Sequence, residues 1–240
     1  MFQRRMAALL AAMVLMVLLA VAPVFGSAEA EEGDDAYDIV FIMKSLSNPF
    51  FIDMEDGARE TAQELGVNLN VLAPQRETDT AEQMRIMEDQ VTLGVDAIVL
   101  VPNGSRELAP AIKRANDAGI PVLIVDTKMD PEAMEEAGAV AETFIGSDNY
   151  LGGSIAAETI AELLDGEGKV AVLEGIPGHE TAWARDNGFK DTIADYPDIE
   201  IVASQTANWD RAQGLDVFSN ILAANPDIDA LFAANDQMAL

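Results

Sequence analysis

Short apolar runs alternate along this chain with longer stretches in which apolar residues recur every three or four positions. Ile39–Met43, Ala97–Val101 and Val122–Val125 carry no polar interruption, the pattern of strands buried on both faces of a parallel sheet. A shorter candidate strand is Leu69–Val71. Helical patterns fill the gaps, over about Pro49–Leu65, Thr80–Leu93 and Arg106–Ala118, and each stops at a glycine: Gly66, Gly94 and Gly119. Glycine accepts the left-handed backbone that ends a helix. The order reads βαβαβαβ with right-handed crossovers. After a looser acidic stretch, Met129–Glu142, the pattern resumes at Phe144-Ile145. Helices near Tyr150–Leu164, Thr181–Ala194 and Asp210–Ala223 then alternate with strands Val170–Leu173, Ile199–Val202 and Ala230–Ala233.

The expected fold is α/β: two Rossmann-like lobes, 37–146 and 147–240, each a parallel sheet flanked by helices, with a cleft between them. Met238-Ala239-Leu240 has the look of an opening helical turn. A buried strand needs cover on both faces, so the second lobe reads as incomplete and the end as a truncated reading frame.

The first thirty residues are of another kind. Arg4 and Arg5 precede an apolar run from Met6 to Ala22, followed by Pro23 and a small-residue stretch in which Ala28 and Ala30 fit an A-x-A cleavage site. This is the layout of a secretory signal peptide over 1–30. An uncleaved anchor is the competing reading, and Pro23 with the small residues beyond it favours cleavage. The expected location is therefore the periplasm, after an acidic, disordered lead-in over 31–36.

Composition narrows the chemistry. There are 42 acidic against 14 basic residues, a formal charge of −28; nucleic-acid binding, which needs clustered Lys and Arg, is excluded. With no Cys and one His, disulfide scaffolds, thiolate zinc sites, cysteine nucleophiles and multi-His metal centres are excluded as well. No G-x-G-x-x-G follows the first strand, where the chain reads Lys44-Ser45-Leu46-Ser47-Asn48, and there is no P-loop. No cofactor and no metal are expected.

Ligands of open α/β sheets bind beyond the carboxyl ends of the strands, where helix N-termini point. Asn48, Phe50 and Phe51 follow the first strand, Asn103 the third, and Asp126 ends the fourth. In the second lobe Arg185 lies early in a helix after the loop Gly175–Gly178, Trp209 opens the next helix, and Asn235 stands past the last strand. One carboxylate, one guanidinium, amides and aromatic rings make no nucleophile–base pair. They suit an uncharged polyhydroxylated ligand, whose hydroxyls meet Asp, Arg and Asn while its C–H faces lie on flat rings. Plainer roles stand beside these. Asn48 serves equally as a helix cap, one of the two phenylalanines as core, Asp126 as a loop solubiliser, Arg185 as a surface partner of Asp186 or Glu180, and Trp209 as a hydrophobic staple. His179 reads as an exposed loop residue without a function.

Several ordered motifs carry a family likeness. Ser47-Asn48-Pro49-Phe50-Phe51, Asp126, Gly146-Ser147-Asp148-Asn149 with Gly152-Gly153, Arg185-x-x-Gly188-Phe189, Trp209-Asp210-Arg211 and Asn235-Asp236-Gln237-Met238-Ala239-Leu240 resemble the ribose-type periplasmic sugar-binding proteins of ABC importers, which are type I periplasmic binding proteins. The resemblance runs from about Ile39 to the last residue. It implies that Asn48, Phe50, Phe51, Asp126, Arg185, Trp209 and Asn235 line a sugar site, with Phe the usual residue where Trp209 stands. It implies a monomer that captures a monosaccharide or polyol between its lobes and hands it to the permease subunits of an ABC importer, without catalysis. A sugar sensor coupled to a chemoreceptor is the alternative. One departure concerns specificity: ribose binders usually place Arg directly after the strand-end Asp, whereas Thr127 follows Asp126. That exchange casts doubt on ribose and leaves room for a larger pyranose or a polyol.

Overall fold

A computed structural model describes residues 36–240. The 1–30 signal peptide and all but the last residue of the acidic lead-in lie outside the described residues.

Five strands, β1 (Asp38–Ile42), β2 (Asn68–Leu72), β3 (Ala97–Leu100), β4 (Val122–Val125) and β5 (Thr143–Ile145), form one sheet in the order β2-β1-β3-β4-β5. All its pairings are parallel. The crossovers run through α1 (Pro49–Leu65), α2 (Thr80–Leu93), α3 (Ala109–Asp117) and α4 (Pro131–Ala137). Side chains of β1 alternate between two layers of core. Phe41 and Met43 pack with Phe51 of α1, while Val40 and Ile42 join Met87, Ile98 and Ile112 on the opposite face. Both faces are dry, as the uninterrupted apolar runs require, and each such side chain contributes roughly 1.5–3 kcal/mol by leaving water.

The second sheet has the order β7-β6-β8, built from β6 (Glu167–Glu174), β7 (Asp198–Thr206) and β8 (Ala230–Ala233), again parallel. Helices α5 (Asn149–Leu163), α6 (Glu180–Ile193), α7 (Arg211–Ala224) and the single turn α8 (Asp236–Ala239) accompany it. Its core centres on Phe189, stacked on Phe232 with ring centroids 4.2 Å apart. No helix among the described residues is long and apolar enough to cross a membrane.

Three local expectations change. The acidic stretch Met129–Glu142 contains α4, started by Asp130, whose side chain accepts from the Ala133 N–H, and ended by Gly138 at φ 64°. Acidity hid a helix whose start and stop signals were both present. The third helix begins at Ala109, because residues 106–108 form a turn that leads into it. Trp209 does not open α7. It precedes the N-cap Asp210 and sits at φ 62°, next to Asn208 at φ 51°, so a left-handed main chain sets the direction of the indole.

Candidate functional site

Residues that follow β1, β2 and β4 in the first lobe face residues that follow β6, β7 and β8 in the second across a cavity of about 210 Å³. Lys44, Asn48, Phe50, Phe51, Glu77 and Asp126 line it from one side, and Thr181, Arg185, Trp209, Asn235, Asp236 and Gln237 from the other. The seven residues that the resemblance implies for a sugar site are all among these twelve. Asn103 is not. It is fully buried behind the wall, where its main-chain N–H donates to Gln83 Oε1 at 2.7 Å. Gln83 in turn donates from Nε2 to the carbonyls of Met43 and Val101, tying together the ends of β1 and β3.

Asp126 carries the first lobe's chemistry. Its backbone lies at φ 66°, and the Thr127 N–H donates to the Val125 carbonyl at 2.8 Å, closing a three-residue turn. Strain of this kind, of order 1–3 kcal/mol, persists where surrounding structure holds it, commonly at binding sites. The buried ammonium of Lys44 donates to Asp126 Oδ2 at 3.1 Å and to Thr127 Oγ1 at 2.6 Å. Thr127 Oγ1 lies 3.0 Å from Asp126 Oδ2 and 2.9 Å from Thr181 Oγ1 in the other lobe. Proton accounting settles the directions. Lys44 can only donate and an ionised Asp126 can only accept, so the Thr127 proton goes to Asp126 and Thr181 donates to Thr127 across the seam. Oδ2 is thereby saturated, and Oδ1 of Asp126 remains open to the cavity.

The two asparagines do double duty. Asn48 Oδ1 accepts from the Phe50 N–H at 3.1 Å, capping α1, and its Nδ2 donates to Glu77 Oε1 at 3.0 Å. Asn235 Oδ1 accepts from the Met238 N–H at 3.0 Å, and its Nδ2 donates to the Trp209 carbonyl at 3.3 Å. Capping fixes both amides with the carbonyl toward a helix start, so each keeps one N–H for a ligand. The cap and binding readings of Asn48 are compatible. Phe51 is core, 3% exposed, whereas its neighbour Phe50 is 54% exposed and presents its ring at the cavity.

Arg185 makes no ion pair with Asp186 or Glu180. Its Nε donates to Asn149 Oδ1 at 2.8 Å and its Nη1 to the Ala234 carbonyl at 2.7 Å, while the guanidinium lies 5.8 Å from the Trp209 ring centre. The Nη2 protons are left over for the cavity. Burial draws its pKa below the ordinary arginine value, opposed chiefly by the carboxylates of Asp126 and Asp236. Two glycines aim it. A Cβ on Gly153 of α5 would stand 2.1 Å from the Arg185 carbonyl oxygen, and one on Gly188 of α6 would stand 2.0 Å from the Tyr150 carbonyl oxygen. Each helix receives the other's backbone in the gap where a side chain would be. Trp209 is set in a similar way, its indole flat against Gly175, where a Cβ would come within 2.3 Å.

Lys44, Glu77 and His179 were given no role from sequence. Lys44 ends an apolar strand, and a lone cation immediately after such a run was the available signal. Its ammonium lies within hydrogen-bond reach of both Asp126 and Thr127. Glu77 was one of many acidic loop residues; burial raises its pKa, while the hydrogen bond from Asn48 and the charge of Lys44 oppose the rise. His179 corrects the expectation of an exposed loop residue, since it is 4% exposed. Gly178 at φ 86° turns the chain inward just before it, and the imidazole is buried near Lys44 and Asp126 of the other lobe. Burial, reinforced by the Lys44 charge, pulls its pKa down to about 4. Beside it, the Glu180 N–H donates to Ser105 Oγ at 3.0 Å, a second contact between lobes.

Two cations therefore stand among three carboxylates around the cavity. Such near-balance suits an uncharged ligand rich in hydroxyl groups. Among the described residues no three His, Asp or Glu side chains are grouped to hold a metal ion.

A model of the periplasmic binding protein domain matches residues 39–240. The D-ribose/D-allose-binding protein of Pseudomonas aeruginosa is 38% identical, over 97% of this chain and 72% of that protein. The D-allose-binding periplasmic protein of Escherichia coli is 36% identical, over 85% of this chain and 66% of its own length. Among solved structures, an ABC transporter periplasmic solute binding protein from Actinobacillus succinogenes with bound D-allose superposes at a TM-score of 0.80 with 43% identity, covering 85% of this chain and 71% of that one. These relatives are binding proteins, not enzymes.

Proposed function

We propose, from the premise that the chain belongs to the periplasmic binding protein domain family, that it captures a neutral monosaccharide or polyol between its lobes and delivers it to the membrane permease of an ABC importer. It acts in the periplasm as a monomer and does no chemistry on its ligand. The supporting observation is that Asn48, Phe50, Phe51 and Asp126 of one lobe and Arg185, Trp209 and Asn235 of the other line a single cavity. In it Asp126 Oδ1, the spare Arg185 N–H groups and two amide N–H groups are unspent on the protein.

Each group then has a role. Asp126 accepts from ligand hydroxyls, Arg185 donates to hydroxyl or ring oxygens, and Asn48 and Asn235 each add a donor. Phe50 and Trp209 lie against C–H faces and exclude water, which strengthens the hydrogen bonds. Both lobes contribute, so the ligand contacts every one of these groups only when the lobes are closed. It stabilises that form by its differential affinity for it. Lys44 beside Thr127 sets a cation against the strand-end acid. The ligand class that fits is a larger pyranose or a polyol. Relatives named as importer components favour transport over signalling.

Calorimetric titration with D-allose, D-ribose and myo-inositol tests this reading. The expected result is saturable binding to at least one, near the micromolar affinity that corresponds to about −8 kcal/mol. A thermal midpoint unmoved by a broad panel of pentoses, hexoses and polyols would refute it.

A further inference from the structure

A second cavity of about 220 Å³ adjoins the first and shares Asn48, Glu77, Trp209 and Gln237 with it. Glu77 stands at this waist, on the turn between β2 and α2. One of its oxygens is committed, since Oε1 accepts from Asn48 Nδ2. Oε2 has no hydrogen-bond or ion-pair partner among the described residues.

A sugar hydroxyl has one proton to give, and leaving it without an acceptor in a desolvated site is costly. On the first lobe the side-chain donors at the cavity are plentiful: the ammonium of Lys44 and the amide of Asn48. Acceptors are scarce. Asp126 has Oδ1 left and Glu77 has Oε2, while Phe50 and Phe51 offer none. A ligand hydroxyl that faces this lobe beyond the reach of Asp126 therefore has Glu77 as its side-chain acceptor.

Resting on the sugar-binding reading above, we propose that Glu77 is a specificity-determining residue, whose Oε2 accepts the proton of the ligand hydroxyl facing the waist and so selects sugars that bear a hydroxyl there. The open space beyond the waist removes steric exclusion as the means of selection at that position. Discrimination falls to the hydrogen bond, which rejects an analogue lacking its partner far more strongly than a loose apolar wall can. The raised pKa of Glu77 agrees with this role, because a carboxyl that has lost water gains most from a new donor. Its bond to Asn48 couples the two, so the group that reads the hydroxyl also orients the amide next to it.

The test is a calorimetric comparison of D-allose with its monodeoxy analogues on the protein, Glu77→Gln and Glu77→Ala. One deoxy position should weaken binding to the unaltered protein by about 30-fold or more, the scale of a lost hydrogen bond to a charged group, and should cost Glu77→Ala less than about threefold. Glu77→Gln keeps an acceptor for Asn48 and turns an NH₂ toward the waist, so it should weaken D-allose itself by about tenfold or more while leaving the thermal midpoint nearly unchanged. Identical deoxy profiles in all three proteins would overturn the assignment while leaving sugar binding intact. Failure of the unaltered protein to bind any sugar or polyol is a separate result; it would remove the parent reading and this proposal with it.

Discussion

The two lobes bring their polar groups to the cavity by different means. In the first, hydrogen bonds do the positioning: Gln83, Asn103 and Thr127 are fully buried and Lys44 nearly so, and together they fix the ends of β1, β3 and β4. In the second, close packing does it. Arg185 is aimed by two helices whose backbones meet at Gly153 and Gly188, and Trp209 by its seat on Gly175. A site organised by hydrogen bonds is damaged by deleting polar atoms, whereas one organised by backbone contact is damaged by adding a methyl group.

The largest effects should come from removing one tip on either side. Asp126→Ala and Arg185→Ala are each expected to weaken sugar binding by about 2 kcal/mol or more, roughly 30-fold, since each leaves desolvated groups unpaired. Calorimetry on both variants checks this, and a loss confined to one of them would mean that a single lobe holds the ligand.

Adding a methyl group probes the contrast more finely. Gly188→Ala should cost about 1–3 kcal/mol of stability by overpacking and should weaken sugar binding as Arg185 is displaced. The same change at Gly57, an exposed position inside α1 where a Cβ meets nothing within 4 Å, should stabilise by roughly 0.5–1 kcal/mol. Denaturant midpoints of the two variants should move in opposite directions; equal shifts would erase the distinction drawn here.

The smallest effect concerns the seam. His179 has its folded pKa near 4 against an ordinary 6.5, so between those values the unfolded chain binds more protons than the folded one. Stability contributed by the neutral imidazole is complete above about pH 6.5 and is lost as pH falls toward 4. Many carboxylates titrate in the same window, so the measurement is a difference. The thermal midpoint of the unaltered protein minus that of His179→Asn should decline as pH is lowered from 7 to 4. A flat difference would show that the ring is not held neutral by the seam.

Much of this arrangement was legible before any coordinates. Buried parallel strands announce themselves as apolar runs, and Asn48, Pro49 and Phe50 combine a cap, a helix start and an apolar ring that the helical phase turns away from Phe51. Asp126 and Arg185 stood out because one ends a strand and the other lies early in a helix, and both line the cavity. The pairings among these residues were not legible. Lys44 and Thr127 are 83 positions apart, and nothing local announces that one donates a hydrogen bond to the other. Glu77 lay hidden among 42 acidic residues, since what distinguishes it is lost solvent and a bond from Asn48, 29 positions away. Arg185-x-x-Gly188 could be read as a motif, but its reason, the passage of Tyr150's carbonyl where a Cβ would be, belongs to the packing of two helices.

His179 is the sole histidine in the chain, and it lies in the seam between the lobes. A spectrum of imidazole protons would thus contain the ring signals of one residue, which report on that seam without any attached dye. If the lobes part when the sugar leaves, as the proposed capture requires, the widths of those signals would report how long each posture lasts.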